Sequence, residues 1–122
     1  MDGVAYVSFY SLPADNYYVA ISHRNHLGIR TQNTVALSYS PLALTDFTSS
    51  STQIYGNILS GTINQIYSGD TNSSGVIDAS DRSGTWNNRN QVGYLIFDCN
   101  LNGTVDAGDR AFTWNNRNKT NN

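Results

Sequence analysis

Six aspartates in the second half of the chain, Asp70, Asp78, Asp81, Asp98, Asp106 and Asp109, stand in two sets of three at one spacing. Each set belongs to a repeat. Residues Asp70 to Asn90 read DTNSSGVIDASDRSGTWNNRN. Residues Asp98 to Asn118, twenty-eight positions on, read DCNLNGTVDAGDRAFTWNNRN, with thirteen of twenty-one positions identical. Counted from its first Asp, each copy carries side-chain oxygen at positions 1, 3, 5, 9 and 12. These are Asp70, Asn72, Ser74, Asp78 and Asp81, then Asp98, Asn100, Asn102, Asp106 and Asp109. Calcium is a hard cation that takes about six to eight oxygens at roughly 2.3–2.6 Å, and a twelve-residue loop presents them in this order. Gly75 and Gly103 at position 6 permit the sharp turn that closes such a loop, since no Cβ blocks positive φ. Position 7 offers a backbone carbonyl, so Val76 and Thr104 are expected to complete the two shells whatever their side chains. The chemistry expected here is the binding of two calcium ions, and not catalysis.

The spacing is that of an EF-hand-type loop. Asp78 and Asp106 stand where a ligand often acts through water, and Asp81 and Asp109 close the shell. Ile77 and Val105 at position 8 are apolar and β-branched, and the loops are expected to pair with each other through them. Residues 70–81 and 98–109 resemble the dockerin type I repeat family, with Asp rather than Glu closing each loop. The resemblance implies paired calcium loops with short helices, and a cohesin-like protein partner that grips the folded helix pair. It weakens outside the loops. A dockerin repeat runs on into a Leu- and Lys-rich helix, whereas these run on as DRSGTWNNRN and DRAFTWNNRN, and the recognition positions hold only Ala79-Ser80 and Ala107-Gly108. The TWNNRN tails, together with HRNHLG at residues 23–28, are similar to C-terminal regions of large secreted proteins of gliding and related bacteria.

A single Asn/Asp/Gly-rich segment is more often a plain turn than a metal site. Two copies at matched spacing decide for calcium. Three carboxylates per loop is a modest charge count, which points to affinities of roughly 10⁻⁶–10⁻³ M.

Other chemistry has weaker support. His23 and His26 enclose Arg24 and Asn25, but no Asp, Glu or Cys lies near enough in sequence to complete a zinc set, so a structured polar loop is expected. Cys99 is the only cysteine, which excludes an intrachain disulfide, and it occupies non-ligand position 2 of the second loop. No GxSxG, HExxH or P-loop motif is present. Sequons begin at Asn72, Asn102 and Asn118, and the first two fall on ligand positions, where glycosylation is not expected. All nine acidic residues are Asp and Lys119 is the only Lys, so a net charge of −2 offers no basic surface for nucleic acid. No apolar run of about eighteen residues exists, so no membrane insertion is expected. No signal peptide is visible at Met1, and MDGVAYVSF is expected to begin inside a larger parent protein.

The predicted architecture is mainly β with a small α/loop calcium unit. A sandwich-like β region covers residues 1–66, and a dockerin-like two-repeat region covers residues 67–122. Alternation predicts strands at Val4–Tyr10, Tyr17–Ser22 and around Val35, Leu37 and Tyr39, while residues 53–68 are open between a final strand and a connector. Short helices are expected at about Ala79–Asn88 and Ala107–Asn116. Trp86 and Trp114 are expected to form the small core of the calcium unit, the alternative being an exposed pair that stacks on sugars beside Asn87, Asn88, Arg89 and Asn115, Asn116, Arg117. Calcium is expected to order the chain from Ser68 onward and to leave the strands largely alone. The functional expectation is a non-catalytic, secreted or cell-surface module that acts as a structural clasp or protein-docking element. The competing expectation is a carbohydrate-binding appendage of a surface enzyme or adhesin that recognises a cell-surface glycan.

Overall fold

A computed structural model describes residues 4–38, 45–49, 54–55, 57–60 and 63–121. Seven short strands precede two helices: β1 (Asp15–Tyr17), β2 (Ala20–His23), β3 (His26–Thr31), β4 (Val35–Leu37), β5 (Ile54–Tyr55), β6 (Asn57–Ser60), β7 (Ile63–Ile66), α1 (Ala79–Asn87) and α2 (Ala107–Asn115). All strand pairings are antiparallel. β1 pairs with β4, β2 with β3 and β3 with β5, and β6 with β7, giving three small sheets. Residues 53–68, left open by the sequence, thus contribute strands.

β3 is the strand that the molecule is built around. Its side chains alternate between half-buried and buried along HLGIRT, with Leu27, Ile29 and Thr31 facing inward, the period-2 pattern of a strand with one covered face. β2 and β3 form a hairpin whose turn residues are Arg24 and Asn25. The run Val4–Tyr10, expected as a strand, joins no sheet and is exposed throughout. Its alternation lacks a covered face on which to act. Tyr17–Ser22 divides between β1 and β2, and Val35 and Leu37 lie in β4 as expected, while Tyr39 falls outside the described residues.

The two helices begin where the loops end. Asp78 and Asp106 are their N-caps, each completed as a capping box by the Asp three residues on. Such caps satisfy amides that the first turn leaves without partners. Each helix buries a narrow inner face made of an Asp and a Thr: Asp81 and Thr85 in α1, Asp109 and Thr113 in α2. The chain leaves each helix through a left-handed asparagine, Asn90 at φ 69° and Asn118 at φ 65°, a conformation this residue type tolerates. Trp86 and Trp114 are 46 % and 48 % exposed, so the expected tryptophan core is absent. Ile77, Val105 and Cys99 are the buried apolar residues of the repeat unit. A narrow inner helix face has room for a threonine and not for an indole.

Candidate metal centre

Both loops wind in the same way. Positions 4 and 6 are left-handed in each: Ser73 at 57° and Gly75 at 81°, then Leu101 at 62° and Gly103 at 88°. This winding turns the amides of positions 5 and 6 toward the first Asp. Ser74 N–H donates to Asp70 Oδ1 at 3.0 Å and Gly75 N–H to Asp70 Oδ2 at 3.0 Å. In the second loop Asn102 N–H donates to Asp98 Oδ1 at 3.0 Å and Gly103 N–H to Asp98 Oδ2 at 2.9 Å. The position 3 amide oxygens join the same points. Asn72 Oδ1 accepts from Ser74 N–H and Asn100 Oδ1 from Asn102 N–H, each at 3.0 Å, so the oxygens of positions 1 and 3 meet on one nitrogen in both loops.

The closing aspartates reach back across each loop. Asp81 accepts from Thr71 N–H and Asn72 N–H through Oδ1, at 2.8 and 3.3 Å, and from Asp78 N–H through Oδ2 at 2.9 Å. Asp109 accepts from Asn100 N–H at 3.0 Å and from Asp106 N–H at 2.7 Å. Thr71 adds its hydroxyl to Asp81 at 3.1 Å. The second loop has Cys99 at that position, so Asp109 lacks the bond. Position 2 is therefore a residue that the spacing argument passed over, and nothing in the loop pattern marks it.

The electrostatics follow from burial. Asp70, Asp81, Asp98 and Asp109 are between 0 % and 3 % exposed. Their partners are backbone amides and one hydroxyl, and among the described residues none pairs with Arg, Lys or His. Desolvation, with a smaller contribution from the Asp81 charge, raises the Asp70 carboxyl above its ordinary range, against the amides of Gly75 and Ser74. Buried charges without a counter-charge are costly, and a bound cation is the usual remedy.

The donor set fits calcium in part through neutral oxygens. Among the described residues no three His, Cys, Asp or Glu side chains form a group that could hold a metal. Two carboxylates per loop are buried, and the third is exposed and occupied as a helix cap: Asp78 accepts from Ser80 N–H and Asp106 from Gly108 N–H. A shell in either loop would rest on the position 1 and 12 carboxylates with the neutral oxygens of positions 3, 5 and 7. Ser74 Oγ now donates to the Val76 carbonyl at 3.0 Å, and Asn102 Oδ1 accepts from Thr104 N–H at 2.8 Å. Every buried side-chain nitrogen or oxygen among the described residues has a hydrogen-bond partner. A carboxylate offers about four lone-pair positions, so amide bonds leave capacity for an ion.

The loops pair, but not through each other. Ile77 N–H donates to the Lys119 carbonyl and Asn118 N–H to the Ile77 carbonyl, at 3.0 and 2.8 Å. Val105 N–H donates to the Gln91 carbonyl and Asn90 N–H to the Val105 carbonyl, at 2.9 and 2.8 Å. Isolated bridges at Val76–Thr120 and Val92–Thr104 continue the same contacts. Each loop is closed by the tail of the other repeat, in place of the expected Ile77–Val105 strand pair. The tails beyond TWNNRN are what make this exchange possible, and a reading confined to the twelve-residue loops cannot see it.

The HRNHLG stretch completes the centre from the other half of the chain. Asn25, fully buried, donates through Nδ2 to the Asp98 carbonyl at 2.6 Å and accepts at its own carbonyl from Gly69 N–H at 2.8 Å. It thereby touches the residue before the first ligand of loop one and the first ligand of loop two. Arg24 donates to the Leu95 carbonyl at 3.0 Å and lies 3.5 Å from the Tyr94 ring centre. Ser68 Oγ donates to the Cys99 carbonyl at 2.6 Å. His26 Nδ1 lies 2.8 Å from both Asn25 Oδ1 and His23 Nδ1. Burial, His23 and Arg24 push the His26 imidazole down to about 4. The histidines thus position a docking turn. Cys99 is buried and its thiol is pushed up to about 12, chiefly by desolvation, as suits an inert packing residue. Comparison with protein families, with curated proteins and with solved structures finds no match.

Proposed function

We propose that the chain is a non-catalytic extracellular module in which two calcium ions fold a dockerin-like repeat unit, residues 67–122, and fasten it to a sandwich-like β region, residues 1–66. The ions are held by Asp70, Asn72, Ser74, Val76, Asp78 and Asp81, and by Asp98, Asn100, Asn102, Thr104, Asp106 and Asp109, with Asp78 and Asp106 acting through water. Calcium supplies charge neutralisation and no reaction step. The module serves a larger secreted or cell-surface protein as a calcium-stabilised clasp, or as the docking element for a protein partner.

The observation that carries this reading is the duplication of one hydrogen-bond lattice around four buried carboxylates that have no cationic side-chain partner among the described residues. Turns chosen only for their shape have no need of two buried charges each. Calorimetric titration of the chain with calcium is the test. Two sites are expected, and Asp70→Ala and Asp98→Ala should each remove one of them. Absence of binding at millimolar calcium would sink the reading.

A further inference from the structure

Loop chemistry leaves the outer face of the helices unexplained. Each exposed tryptophan carries two guanidiniums. Arg89 Cζ lies 4.5 Å and Arg110 Cζ 4.9 Å from the Trp86 ring centre, and Arg117 Cζ lies 4.3 Å and Arg82 Cζ 4.9 Å from that of Trp114. One arginine of each pair belongs to the ring's own repeat and the other to the opposite repeat, so the same set of groups is presented twice. Four of the seven Lys and Arg residues of a chain with net charge −2 are gathered here.

None of the four pairs with a carboxylate among the described residues. Arg89 and Arg117 each spend one N–H on a backbone carbonyl, of Trp86 at 3.1 Å and of Trp114 at 2.9 Å. The remaining donors of these planar forks are uncommitted. Contact with the indoles restrains the guanidiniums, which lowers the entropy lost when an anion is bound. A depression of about 210 Å³ opens between Arg82, Arg117 and Trp114, with Asp78 and Asn118 on its rim. Asp78 is the one acid lining it and accepts from Ser80 N–H, so two cations face a single carboxylate there.

We propose that this face docks a polysaccharide bearing carboxylates, each arginine pair taking one uronate group. Charge complementarity requires an anion and excludes a second copy of the same cationic face. Two guanidiniums lie against each indole, so an anionic sugar gains charge-assisted bonds here that a neutral sugar does not. A planar carboxylate matches the arginine fork bidentately. Two half-sites that each set one Trp beside two Arg suit a polymer that repeats one group, which an ordinary acidic peptide does not. The exposed Asn87 and Asn115 beside the rings offer amides to sugar hydroxyls.

The test uses the whole chain with calcium present and immobilised hyaluronan as the probe. The comparators are carboxyl-reduced hyaluronan, dextran sulfate and poly-L-glutamate. Saturable, salt-sensitive binding to hyaluronan is expected, with loss on carboxyl reduction. Binding should weaken roughly tenfold in R82Q/R117Q, the size of one lost charge-assisted fork. R82K/R117K keeps charge and stem packing but loses the fork; it should also weaken binding, with thermal midpoint unchanged, and it carries the test if the glutamine variant fails to fold. Failure to bind hyaluronan, equal binding of the carboxyl-reduced polymer, unaltered affinity in the lysine variant, or a tighter grip on dextran sulfate or poly-L-glutamate would each overturn the proposal, the last assigning the face to an acidic protein.

Discussion

The strand region and the repeat unit bury opposite kinds of side chain. Among the described residues of the strand region the buried apolar side chains are Leu27 and Ile29, both on β3. In the repeat unit four carboxylates and two helical threonines are buried beside Ile77, Val105 and Cys99. The repeat unit buries carboxylates that its few buried apolar side chains do not offset. The two regions meet at Asn25. The difference teaches that stability here is borrowed. A cation is proposed to stabilise the loops, and the loops in turn hold the β2–β3 turn. Calcium should therefore act on the strands as well, in contrast to the two-region independence expected from the sequence.

Removing calcium should give the largest effect. At a hundredfold excess over Kd one site contributes about 2.7 kcal/mol, so chelation should lower the thermal midpoint strongly in scanning calorimetry. Limited proteolysis should then cut both the segment after Ser68 and the β2–β3 turn. Cutting confined to the former would restore independence of the regions. Asn25→Ala is next in size. It leaves the Asp98 carbonyl and a buried void without a partner, a loss of about 1–3 kcal/mol by chemical denaturation, and it should uncouple the turn from chelation.

A third change separates the two loops. Deleting residues 118–122 removes the amide and carbonyl contacts that the tail makes with Ile77 and Gly75. The first site should weaken while the second, closed by Gln91 and Asn90, keeps its affinity in a calcium titration. Equal weakening of both would favour direct coupling between the loops. The smallest effect is on pH. The His26 imidazole is depressed from 6.5 to about 4, so its contribution is present above 6.5 and is lost as pH falls through about 4. Thermal midpoints measured across that window should fall more for the native chain than for His26→Asn.

Much of the repeat unit was legible because its chemistry is local. The oxygen spacing, the glycines at position 6 and the helix starts at Ala79 and Ala107 all depend on residues within twelve positions of one another. What failed to read out was relational. Ile77 and Val105 have the right character for a strand contact, but their partners lie in the tails of the opposite repeats. Trp86 and Trp114 have the apolar area of core residues, but the helices turn them outward and bury Thr85 and Thr113 instead. Val4–Tyr10 alternates like a strand and has no face to cover. Asn25 carries no sign of burial, since two of its partners, the Asp98 carbonyl and the Gly69 amide, are backbone groups more than forty residues away.

Hydrogen exchange of individual amides, with and without calcium, tests the central claim most directly. The amides of Gly75, Gly103, Ile77 and Val105 should slow on adding calcium, together with those of Gly69 and Leu27, which bond to the Asn25 and Tyr67 carbonyls. Common protection across loops, tails and turn is the result expected of one calcium-closed unit. Unchanged exchange at Gly75 and Gly103 would contradict it.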